Sequence, residues 1–88
     1  MNKIVRLYGF DGCPYCQELK GLFDTNNIEY TYVDVMAEEN EKETEKIFKI
    51  TKQESVPVVL VNKTLLAPDS SFKSIDEAYN LTLKFLNT

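Results

Sequence analysis

Cys13 and Cys16 are the only cysteines in the chain, and they stand two residues apart between an apolar run and a helical pattern. Ile4-Val5-Arg6-Leu7-Tyr8-Gly9-Phe10 precedes them, Asp11-Gly12 supplies turn chemistry, and Gln17 to Phe23 sets Leu19, Leu22 and Phe23 on one helical face. A strand, a short turn and a helix opening at a C-x-x-C pair is the setting that gives this spacing redox meaning. It commits the chain to an α/β fold with a reactive site at the end of its first strand.

The start of that helix supplies the chemistry. Its first N–H groups lack intrahelical partners, and the macrodipole leaves partial positive charge there. Cys13 falls at the N-cap and Pro14 at the first helical position, where a missing N–H costs nothing. Thiols at helix N-termini ionise more readily than free ones, so Cys13 is the expected attacking sulfur. Cys16, one turn further in, is expected to stay protonated until it resolves the bond that Cys13 forms.

Other uses of two cysteines fit less well. A zinc site takes about four N or S ligands, and there is no third cysteine and no histidine, which leaves only a site shared across a dimer. A structural disulfide over two intervening residues would constrain the unfolded chain little. Two inert core cysteines remain a third alternative, since the residue packs as a small hydrophobe.

Eighty-eight residues make one domain, spanning 1–88, with one modest core. A chain 43% hydrophobic and 27% charged reads as globular rather than disordered. Net charge of −4 argues against nucleic acid or an anionic membrane as partner. No apolar run reaches the roughly 18–20 residues needed to cross a bilayer. Met1-Asn2-Lys3-Ile4-Val5-Arg6 lacks the pattern of a signal peptide; with a thiol pair, a reducing cytoplasm is the expected location.

Further along, Lys3 to Tyr8 reads as the first strand and Pro14 to Asp24 as the first helix, ended by Asn26-Asn27. Gly21 within that helix costs about 1 kcal/mol relative to Ala unless a neighbouring chain packs close. Ile28 to Val35 is the clearest strand, and strand–helix–strand with short connections makes a right-handed unit with parallel strands. Ala37 to Lys46 is a charge run, read as a solvated helix face with Ile47, Phe48 and Ile50 as its apolar edge or as an acidic docking patch. Val56 to Val61 is a strand opened by Pro57, and Asn62-Lys63 joins it by a hairpin to Thr64-Leu65-Leu66. Ala67 to Phe72 is loop. Ser74 and Glu77 form a capping box for a last helix carrying Ile75, Ala78, Tyr79, Leu81, Leu83, Phe85 and Leu86.

The order β-α-β-α-β-β-α, with Cys13-Pro14-Tyr15-Cys16, Lys20 and Ser55-Val56-Pro57 at their places, resembles the glutaredoxins over nearly the whole chain. Tyr8-Gly9-Phe10-Asp11 and Val35-Met36 are similar to the phage-encoded branch that feeds ribonucleotide reductase. The resemblance implies a compact thioredoxin-like fold, a four-stranded mixed sheet flanked by three helices. It implies a cis Val56–Pro57 bond; the alternative is a trans proline that merely begins a strand. It further implies glutathione as co-substrate with no permanently bound cofactor, glutathione contacts from Tyr15, Val56, Pro57 and Asp76, and disulfide-bearing proteins such as ribonucleotide reductase as partners of a monomer. On helix physics alone, Asp76 could equally be a first-turn acid complementing the dipole.

The chain departs from the family where the tripeptide's glycine carboxylate is held. The family commonly uses a lysine three residues before the first cysteine, an arginine three before the cis proline and a glutamine on the second helix; Phe10, Glu54 and Thr44 stand at those offsets. Lys73-Ser74 replaces the paired glycines before the last helix, and Lys49 or Lys52 could supply a cation. The expected activity is glutathione-dependent reduction of protein disulfides and glutathione mixed disulfides, with weak glutathione binding. A redoxin served by a thioredoxin reductase is the first alternative. A dimer holding a [2Fe–2S] cluster through Cys13 and glutathione, or an inactive scaffold, follows.

Overall fold

The computed structural model describes residues 4–87. The expected start of the first strand at Lys3, and the segment read as unlike a signal peptide through Lys3, lie outside them. The sheet has four strands, β1 (Val5–Gly9), β2 (Thr31–Asp34), β3 (Val58–Val61) and β4 (Thr64–Leu66), in spatial order β2-β1-β3-β4. β1 runs parallel to β2, with Leu7 opposite Tyr32 and Gly9 opposite Asp34, and antiparallel to β3. The helices are α1 (Pro14–Thr25), α2 (Glu41–Thr51) and α3 (Ile75–Leu86), with a 3-10 turn at Glu38–Asn40 before α2. This is the expected thioredoxin-like order, a mixed sheet with three helices.

Strand alternation builds two layers. Val5 and Leu7 of β1 and Val59 and Val61 of β3 meet Leu19 and Phe23 of α1 and Ile75 and Ala78 of α3 in one core. Tyr8, Val33 and Val58 point to the other face and meet Ile47 of α2. Opposite faces for successive residues follow from the pleat, so both helix layers are written into β1 and β3.

Local chemistry sets the boundaries. Asn26 caps α1, its N–H reaching Asp24 and Leu22 carbonyls, and Asn27 turns the chain out with φ 57°. β2 is shorter than the Ile28–Val35 run, although Ile28 and Tyr30 still pack on the core. β3 begins at Val58, with Pro57 buried just ahead of it. Asn62-Lys63 forms the hairpin, Asn62 taking φ 56°, a conformation asparagine tolerates without a glycine. Ser74 caps α3 by accepting from Glu77 N–H at 3.1 Å, while the Glu77 carboxylate accepts from Lys73 N–H at 2.7 Å, one residue earlier than a reciprocal box requires.

The charge run is the largely exposed helical face expected, but its inner edge departs from the reading. Ile47 is buried and Phe48 packs on the same cluster, but Ile50 is exposed and Thr44 takes the inner position. Positions 44, 47, 48 and 51 share a helical face, and 50 does not. Glu43 is only partly solvated: its carboxylate accepts from Arg6 Nε and Nη2, each at 2.9 Å, and from the Tyr8 hydroxyl.

Candidate active site

Cys13 is the N-cap of α1 and Pro14 opens the helix, as the residue order predicts. Cys13 Sγ accepts the Cys16 backbone N–H at 3.2 Å, so an otherwise orphaned donor of the first turn is aimed at that sulfur. The loop is closed behind it by Cys13 N–H donating to the Phe10 carbonyl at 3.1 Å. Both cysteines are free thiols.

The two sulfurs stand in different surroundings. Cys13 keeps 7% of its surface exposed and Cys16 none, so an incoming disulfide meets Cys13 first. Burial, and then its pairing with Cys13, push the Cys16 thiol up to about 12. Gly9, at the end of β1, makes this burial possible: a Cβ there would stand 2.7 Å from Cys16 Sγ and 2.8 Å from Cys16 Cβ. The strand end and the first turn of α1 meet without a side chain between them.

Beside the cysteines, Tyr15, Pro57 and Asp76 line one groove of about 410 Å³, with Phe72 and Ile75 at its floor and Glu18, Asp69 and Lys73 among its charged walls. Three of the four residues expected at a glutathione site are thus brought together. Val56 is outside that lining, but its bond to Pro57 is cis, and among the described residues no hydrogen bond engages its main chain. Tyr15 is 64% exposed beside that groove. Asp76 sits in the first turn of α3, where its charge also complements the helix dipole.

A second groove, of about 310 Å³, lies between the end of β2 and α2. Thr44 and Glu54, two of the positions where a carboxylate clamp was sought, both line it. Its other walls include Val35, Met36, Phe48, Glu38, Glu41 and Glu45. Neither Lys49 nor Lys52 lines it. Four carboxylates and no cation make it a poor seat for an anion.

One neighbour of the cysteines, Tyr32, carries no mark in the sequence. Tyr32 extends from β2 so that its hydroxyl would stand 3.4 Å from a Cβ added at Gly9, and Lys20 Nζ lies 4.8 Å from the centre of its ring. Only the parallel register of β1 and β2 puts a β2 phenol there, so neither spacing nor residue type could have found it. Among the described residues, no group of three His, Cys, Asp or Glu side chains stands together to hold a metal ion. No helix among them is long and apolar enough to cross a membrane.

The family model described as Glutaredoxin matches residues 5–66. A glutaredoxin-like 8.6 kDa protein of the rubredoxin operon of Clostridium pasteurianum, itself uncharacterized, is 29% identical over 63 residues, which are 72% of this chain and 81% of that one. Among solved structures, glutaredoxin grx-1 of Archaeoglobus fulgidus superposes with a TM-score of 0.61 at 26% identity, over 72% of either chain. A buckwheat glutaredoxin–glutathione complex gives 0.71 at 16% identity, over 97% of this chain and 77% of that one. Glutaredoxin 1 of Francisella tularensis, complexed with cacodylate, gives 0.66 at 22%, over 99% and 100%.

Proposed function

The chain belongs to the glutaredoxin family, and from that premise we propose that it is a glutathione-dependent thiol–disulfide oxidoreductase with Cys13 as nucleophile and Cys16 as resolving thiol. The observation that carries this reading is the asymmetry of the pair: Cys13 holds a helix N-cap and the exposed side, and Cys16 is sealed beneath it. Cys13 thiolate attacks one sulfur of a protein disulfide or a glutathionylated thiol, forming a mixed disulfide and releasing the other sulfur as a thiol. Cys16 gives up its proton and attacks Cys13; the substrate leaves reduced, taking up the proton, and Cys13–Cys16 is oxidised. Two glutathione molecules then return the pair to dithiol and leave as glutathione disulfide. With a glutathione mixed disulfide, Cys13 and a second glutathione suffice.

Glutathione would lie over the Tyr15–Pro57–Asp76 groove. Its cysteine main chain would pair with the free main chain of Val56 in the manner of an added strand. The Asp76 carboxylate would meet the ammonium of its γ-glutamyl end. The reading extends to a cytoplasmic monomer acting on disulfide-bearing proteins, ribonucleotide reductase among them. Reduction of a glutathionylated small disulfide, coupled to glutathione, NADPH and glutathione reductase, tests it. Wild type should turn over, Cys13→Ser should be inactive, and Cys16→Ser should retain turnover. A wild type inactive with glutathione would overturn the glutathione dependence.

One observation favours a second electron donor. The groove at Thr44 and Glu54 is lined by four carboxylates and no cation and would repel the glycine carboxylate of glutathione, so reduction by a thioredoxin reductase is the competing reading. Turnover with that reductase, and none with glutathione, would establish it.

A further inference from the structure

Tyr32 presents a buried polar atom close to Gly9 and Cys16 that the exchange just described leaves unused. Its hydroxyl is buried and has no hydrogen-bond partner, a costly state for a phenol unless something draws on it. A methyl placed on Gly9 would meet Cys16 Sγ at 2.7 Å and the Tyr32 hydroxyl at 3.4 Å, so thiol and phenol converge on the same bare Cα. We propose that the Tyr32 hydroxyl is the hydrogen-bond donor that stabilises the Cys16 thiolate while it attacks the mixed disulfide at Cys13.

The step needs such a donor. Cys16 is sealed from water, so the charge that appears on its sulfur during resolution has no solvent to spread into. Phenol O–H is a donor that remains protonated throughout, since burial first, and then the proximity of Cys16, Asp11, Asp34 and Cys13, push Tyr32 up to about 12. Lys20 faces the Tyr32 ring from α1, and its positive charge polarises the phenol toward donation. Tyr30, the neighbouring phenol on the same chain segment, donates to Asp24 at 2.7 Å and is not available for the task. No proton is transferred to or from Tyr32: the Cys16 proton ends on the departing substrate thiol, and the electron pair of the Cys13–substrate bond leaves with that sulfur.

This role rests on the dithiol reading above, and a reagent independent of glutathione separates the two. Reduced protein mixed with 5,5′-dithiobis(2-nitrobenzoate) releases one chromophoric thiolate when Cys13 attacks and a second when Cys16 resolves. Tyr32→Phe should slow the second release about tenfold or more, the effect of losing a hydrogen bond to a charged group, and should shift its pH midpoint upward. The first release supplies the internal reference. In wild type, absence of any second release would overturn the dithiol reading. A normal second release from Tyr32→Phe, or equal slowing of both phases, would overturn the role of Tyr32. Fluorotyrosine incorporated at position 32 keeps the fold and the hydroxyl while strengthening the donor; it should accelerate the second phase, and an unchanged rate counts against the role.

Discussion

Gly9 and Cys16 lie in direct contact, with room for no more than a hydrogen between the glycine Cα and the Cys16 sulfur. That contact seals the inner cysteine, and it makes Gly9 a residue chosen for closeness rather than for turning. A Cβ at 2.7 Å forces α1 or β1 to shift. Gly9→Ala should therefore cost about 1–3 kcal/mol, the range for overpacking a filled core, read as a lowered urea midpoint. In a Cys13→Ser background the same change should speed alkylation of Cys16; protection equal to wild type would show that Gly9 does not seal it.

Gly21 is the opposite case. It lies exposed in the middle of α1, and an added Cβ would meet nothing within 4 Å. Gly21→Ala should stabilise the protein by about 0.5–1 kcal/mol through the lost backbone freedom of the unfolded chain. Urea midpoints compare the two proteins; a lower midpoint for the variant would reveal a contact that the fold does not show.

Alkali should weaken the fold progressively. Cys16 and Tyr32 are each pushed up to about 12 from ordinary values of 9.0 and 10.0, and burial raises Tyr8 as well. Above about pH 9 the unfolded chain releases these protons while the folded chain retains them, so unfolding gains from each rise in pH. Stability is full below that point and declines progressively toward pH 12. Urea midpoints taken stepwise through this window check the decline, and Cys16→Ala combined with Tyr32→Phe should flatten it.

The Arg6–Glu43 pair joins the inner strand β1 to α2 through two hydrogen bonds of 2.9 Å. Both side chains remain about one-third exposed, at 32% and 34%, so solvent screens the pair and a bidentate geometry is worth less than it would be in the core. Glu43→Gln should cost about 1 kcal/mol. A double-mutant cycle with Arg6→Met isolates the pair, and a coupling indistinguishable from zero would mark it as a surface ion pair of no consequence.

The two grooves should answer substitution in opposite senses. Asp76→Ala should raise KM for a glutathionylated substrate several-fold by removing the anion beside Tyr15 and Pro57. Glu54→Arg should lower it several-fold, because it reverses a charge in the groove that Thr44 and Glu54 share; exposed ion pairs of about 0.2–1 kcal/mol set that scale. Steady-state kinetics in the glutathione-coupled assay reads both. If KM is indifferent to Asp76→Ala, the acid serves the dipole of α3 alone.

Much of this molecule was written in local order. Cys13 at the N-cap with Pro14 behind it, Ser74 capping α3 and Asn62 turning the hairpin follow from what each residue offers its own backbone within three or four positions. The alternation in β1 and β3 placed helices on both faces for the same reason, since the pleat is a local property. The resemblance to glutaredoxins then supplied what local physics left open, the cis Val56–Pro57 bond. It also pointed to Tyr15, Pro57 and Asp76, which converge on one groove.

What only the tertiary structure decided is which distant groups meet. Glu43 read as one more charge of a solvated run because nothing in its neighbourhood announces Arg6, 37 residues away on the neighbouring strand. Ile50 read as part of the apolar edge of α2 because composition cannot fix the angle at which that helix docks; that angle put Thr44 inside and Ile50 in water. The pairing of Gly9 with Cys16, and of both with Tyr32, depends on the parallel register of β1 and β2 and on α1 packing across them. Caps, turns and strand faces are governed by interactions a few residues long, which the order of residues states outright. The environment of the Cys16 sulfur is set by three separate segments brought to one point, and their meeting exists only once the sheet has formed.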